Sequence, residues 1–109
     1  MNKQRYLELR GTLNLQKAWL PLISFVVIDL AVMAFAAYLW NIGLSYAVFP
    51  LVAVLMFRNF SLMHDATHGA IASRRKMNDF IGAWCGFMCV LPFKAWKESH
   101  LQHHLWSGN

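Results

Sequence analysis

AWLPLISFVVIDLAVMAFAAYLWNIGLSYAVFPLVAVLMF, residues 18–57, holds one carboxylate, Asp29, and no lysine, arginine or histidine. Those forty residues are about twice the ~20 that a helix needs to cross a hydrocarbon core. The stretch therefore reads as two spans, residues 18–40 and 42–60, broken at Asn41-Ile42-Gly43. Trp19 and Trp40 mark the two ends of the first span, where amphipathic rings favour the headgroup level. Arg58 is expected to snorkel to the interface, and Pro50 to kink the second span, which packed neighbours tolerate.

Outside this stretch the charges are basic on both sides. Lys3, Arg5, Arg10 and Lys17 precede it; Arg58, Arg74, Arg75, Lys76, Lys94 and Lys97 follow; the turn between the spans carries none. The positive-inside rule then puts both ends in the cytoplasm, as in a bacterial inner membrane or its equivalent. The chain divides into a basic lead-in (1–17), the hairpin, and a cytoplasmic or interfacial region (61–109), an all-α integral membrane unit. A composition of 58% hydrophobic and 14% charged residues excludes a disordered chain and an ordinary soluble domain. The net charge of +5 does not indicate nucleic acid, because the cations flank a nearly uncharged middle instead of lining one surface. Ala34-Phe35-Ala36 mimics a signal-peptidase site, but the apolar run before it is too long and a second run follows at once. Cys85 and Cys89, four residues apart, read as buried reduced thiols.

The five histidines fall in two groups, His64-Asp65-Ala66-Thr67-His68 and His100-Leu101-Gln102-His103-His104. On helices, spacings of three and four place side chains on one face, so each group presents its imidazoles together. Imidazoles gathered on one face suit a first-row metal such as iron, copper or zinc. The second span can run on to carry His64 and His68 out of the hydrocarbon, with Gly69 as its stop. The apolar run Phe80–Phe93 is too short to cross, so it lies at the interface or dips in and returns. Both histidine groups then share one side of the membrane and can face one metal site. His64, His68, His100, His103 and His104 are the candidate ligands, with Asp65 placed to orient one of them from outside the ligand set. Asn78-Asp79 reads as a helix N-cap. Asp29 is costly in a span and so flags function by default; pairing with the turn of a neighbouring helix is the plainer alternative, and no catalytic role is assigned to it. Trp84, Trp96 and Trp106 read as interfacial anchors.

HDATH followed, after a stretch too short to span, by HLQHH resembles the first two histidine boxes of the membrane fatty acid desaturases. Gly69, Asn78–Gly82 and the Trp96-Lys97-Glu98-Ser99 lead-in are similar to that family's flanking sequence. Related hydroxylases, ketolases and alkane monooxygenases share the plan, and a metal-binding hairpin without enzymatic activity is the competing class. The resemblance implies two non-haem iron ions, dioxygen as co-substrate, and a membrane lipid or fatty-acyl substrate. It also implies an external donor of the ferredoxin or cytochrome type, with no catalytic residue beyond the metal ligands. The family's third box, which follows a further pair of spans, does not occur in these 109 residues. By resemblance the chain is an N-terminal portion, inactive without the C-terminal half.

Overall fold

A computed structural model describes residues 16–107, with side chains from Leu22 onward. Lys3, Arg5, Arg10 and the side chains of Lys17 and Trp19, used above for topology, lie outside that description. Four helices make up the described part: α1 (Gln16–Asn41), α2 (Ser45–Thr67), α3 (Arg75–Met88) and α4 (Phe93–Ser107). Residues 22–41 of α1 and the whole of α2 are long and apolar enough to cross a membrane. α2 runs unbroken through Pro50 and reaches the first histidine group as a single helix.

Three helix ends share one hydrogen-bond design. After α1, Gly43 N–H donates to Trp40 and Leu44 N–H to Leu39. After α2, Gly69 N–H donates to Ala66 and Ala70 N–H to Asp65. After α3, Val90 N–H donates to Phe87 and Leu91 N–H to Gly86. This pair of bonds satisfies carbonyls that a helix end leaves orphaned, and it requires a left-handed residue at the turn. Gly43 and Gly69 adopt φ of +80° and +69° without penalty. At the third turn the same task falls to Val90, at φ +57°.

The core lies at the histidine end of the hairpin. Leu22 of α1, Met63 and Ala66 of α2, and Ile81 and Cys85 of α3 form one buried cluster. α3 runs back along α2 until the Cys89 thiol meets the Met56 carbonyl at 3.4 Å. The chain then reverses at Leu91-Pro92 into α4. The Phe80–Phe93 run therefore dips along α2 and returns. Gly82 and Gly86 make the reversal tight: a Cβ at Gly82 would enter the Phe93 ring, and one at Gly86 would lie 2.9 Å from the Leu91 carbonyl. Both cysteines are free and buried, as expected.

Several polar side chains take roles that the sequence did not suggest. Asn78 is no N-cap: α3 begins at Arg75, and Asn78 is buried one turn inside it. Its Oδ1 accepts from Ile71 N–H (3.2 Å) and Ala72 N–H (3.0 Å), and its Nδ2 donates to the Ala72 and Arg74 carbonyls. A side chain with both donors and acceptors can close a loop against its own helix, and that satisfaction replaces capping. Arg58 does not snorkel outward. It turns inward to Asp29, which is fully buried, at 2.8 Å. Asn59 Nδ2 (2.8 Å) and the Trp84 indole N–H (2.7 Å) also donate to that carboxylate, so Trp84 is a hydrogen-bond donor between helices. A buried carboxylate is tolerated only when paired and hydrogen-bonded, and three donors meet that demand. Trp106 stays exposed.

Candidate metal centre

The Gly69 stop leaves His64 and His68 on the last turn of α2, four residues apart and on one face, with ring centroids 4.8 Å apart. α4, brought back by the Leu91-Pro92 reversal, sets His100 and His104 against them. The nearest ligand nitrogens of these four residues all lie within 4.8 Å of one another. His68 Nε2 is 3.1 Å from His100 Nε2, and His104 Nε2 is 3.0 Å from the same atom. An imidazole nitrogen carries one proton or one lone pair, so His100 Nε2 cannot form two well-directed hydrogen bonds along those lines. Ligands about 2.1 Å from a metal and at right angles to each other stand about 3.0 Å apart, so the spacing fits nitrogens gathered around one cation.

The electrostatics agree. His68 and His100 are both held below the ordinary imidazole pKa of 6.5, first by desolvation and then by the histidine one turn away on the same helix, His64 for the former and His104 for the latter. Neutral imidazole is the form that binds metal. Asp65 Oδ1 lies 3.4 Å from His64 Nδ1, which leaves Nε2 of that ring for a ligand. At that distance the contact is long for a hydrogen bond.

His103 does not join the four. It is exposed on the neighbouring side of α4, its ring 6.0 Å from that of His104. The spacing of three from His100 had suggested a common face, but 100° per residue separates the two by about 60°. Trp96, read from the sequence as an interfacial anchor, was not foreseen as a neighbour of the histidines. It lies parallel to the His100 ring (4.6 Å between centroids, 9° between planes) and meets Phe60 edge-on at 5.7 Å. It is thus the floor of the histidine cluster. Its position four residues before His100 was the signal that could have found it.

Two cavities border the cluster. One of about 240 Å³ includes His68, Thr67 and Asn78 in its wall. It shares Arg75, Asp79, Lys97 and Leu101 with a neighbour of about 430 Å³ lined further by Phe93, Lys94 and Glu98. Lys97 is paired with Asp79 between them.

Comparison with known proteins gives these residues a context. The sequence model of the fatty acid desaturase family matches residues 44–109, from the start of α2 to beyond the second histidine group. The chain is 28% identical to an endoplasmic-reticulum omega-3 fatty acid desaturase of Vigna radiata over 82% of its length. It is 30% identical over 69% of its length to a fatty acid desaturase of Bacillus subtilis. A ferredoxin-type sn-1 acyl-lipid omega-3 desaturase of Synechocystis is 32% identical over 70% of the chain. The alignments span only 24%, 22% and 21% of those relatives. No solved structure matches. With a profile that covers both histidine groups and relatives that extend into the first span, this chain belongs to the fatty acid desaturase family.

Proposed function

We propose that the protein takes part in oxygen-dependent desaturation of fatty-acyl chains, with non-haem iron held by its histidines. The observation that carries this is the four-imidazole cluster at the end of an apolar hairpin, in a chain of the desaturase family. His64, His68, His100 and His104 would hold one metal. His103, outside that group, is available to a second ion, which needs imidazoles beyond the five present here. Bound iron supplies the capacity to activate dioxygen against an unactivated methylene.

The chain's own residues do the rest. Trp96 orients His100, Asp65 orients His64, and the apolar surface of α2 and α3 offers an acyl chain a path that excludes water. Electrons balance as follows. Two hydrogens leave adjacent carbons, and dioxygen takes two electrons from the chain and two from an external donor. With two protons from solvent, it is released as two waters. The relatives named for ferredoxin suggest a small redox protein as that donor, and those named for acyl lipids suggest a membrane-lipid substrate.

The test is expression of the full-length gene in a host with a defined fatty-acid profile, followed by mass spectrometry of the acyl chains. A product lighter by two hydrogens is expected. A product heavier by one oxygen would reassign the protein to hydroxylation, and an unchanged profile with a folded, iron-loaded protein would sink the enzymatic reading.

A further inference from the structure

We propose that Asp29, on a helix that carries no histidine, is the positioning residue that fixes the two halves of the metal site relative to each other. This rests on reading the four imidazoles as a metal site. Oδ1 of Asp29 receives Arg58 and Asn59 of α2, and Oδ2 receives Trp84 of α3, so one carboxylate ties α1 to both neighbours.

From there two rigid paths lead to the cluster. Along α2, Asn59 precedes His64 by five residues, about 7.5 Å of continuous helix. On α3, Trp84 lies between Gly82 and Gly86, the notch that seats Phe93, and Phe93 is the first residue of the helix bearing His100 and His104. Phe60, beside Asn59, closes the loop by packing on Trp96 beneath His100.

Apolar helices in an apolar surrounding slide at little cost, because one hydrocarbon contact replaces another. A carboxylate with three donors has one satisfactory register. Asp29 is fully buried, so water cannot stand in for a lost donor. The register it sets is the one in which α2 and α4 present their imidazoles to each other.

The experiment uses the metal-free full-length protein in detergent, titrated with Co(II) and read by its visible absorption band and dissociation constant. Asp29→Asn keeps the side-chain size but turns an NH2 group toward donors. The folded variant is expected to bind Co(II) about 10–100-fold more weakly, with a shifted band. Leu55→Ala removes buried packing one turn from Asn59 while keeping the backbone carbonyl that accepts from Asn59 Nδ2 (3.0 Å), and is expected to lower Tm while leaving Co(II) affinity and band unchanged. If Asp29→Asn does not fold, Trp84→Phe removes only the α3 arm and is expected to weaken and shift Co(II) binding in the same sense.

Wild-type Co(II) binding in a folded Asp29→Asn or Trp84→Phe protein overturns the proposal. So does an equal loss in Leu55→Ala, which would make Asp29 a stabilising residue only. Failure of the wild type to bind Co(II) overturns the metal-site reading itself, and this inference with it.

Discussion

His100 is the most crowded imidazole of the cluster, with His68 and His104 nitrogens on one side and the Trp96 ring on the other. That crowding makes protonation unwelcome and gives the site a defined pH dependence. An imidazole whose pKa is lowered by folding takes up its proton more readily in the unfolded chain. The stability contributed by His68 and His100 is therefore complete above pH 6.5 and drains away as the pH falls below it. Thermal melts of the metal-free protein should show Tm falling on acidification below 6.5, with a shallower fall in His68→Gln/His100→Gln. Protons and metal compete for the same nitrogens, so bound metal should leave over the same range. Geometry also separates two adjacent histidines. His104→Ala should remove a ligand from the four-imidazole site and lower its Co(II) affinity by an order of magnitude or more, whereas His103→Ala should leave that affinity unchanged. Equal losses in the two variants would place His103 in the site after all.

At the scale of the helices, the sequence bounded most closely the elements that end on glycine. An uncharged stretch of hairpin length, a polar break at Gly43 and a stop at Gly69 set α1 and α2 within a few residues. The start of α3 was misread because Asn78 has the chemistry of a cap but spends it on the preceding loop. Its end is marked by Val90, a residue with no propensity for the left-handed turn it occupies. The inward turn of Arg58 was equally illegible, since hydropathy reports that a charge is present but not which buried group it will meet. The histidine spacing showed the four imidazoles that cluster; the stacking of Trp96 on His100 and the place of His103 beside the cluster depended on how α4 docks. Val90 supports a direct check. Left-handed backbone costs an L residue about 1–2 kcal/mol, and this side chain is 85% exposed, so it recovers little in packing. Val90→Gly should therefore stabilise the protein by about 1 kcal/mol, read as a rise in Tm. A fall would show that the valine side chain is held by contacts outside the described residues.

Across the described residues, packing is concentrated at one end. Leu22, Met63, Ile81 and Asp29 are buried near the histidines, while Tyr46 (71%), Phe49 (70%) and Val54 (68%) stand exposed toward the other end of the hairpin. An apolar face of that extent is stable only against hydrocarbon or against more protein. The protein should stay with the membrane pellet through alkaline carbonate and high salt and be released by detergent. Release by carbonate alone would contradict the spanning assignment. The alignments with the first relatives span under a quarter of their length, which leaves ample sequence in those proteins to cover this face.

The separation of the two histidine groups along the chain also orders events in time. His68 and His100 touch in the finished structure but are 32 residues apart in the sequence. At about 5–20 residues per second, the ribosome makes the second some two to six seconds after the first. For that interval α2 offers a pair of imidazoles too few to retain a metal against competing cellular ligands. The site closes only when α4 has been made and has folded back across Gly82. On the reading of the four imidazoles as a metal site, loading would follow the synthesis of α4 and would be a late step in the making of this chain.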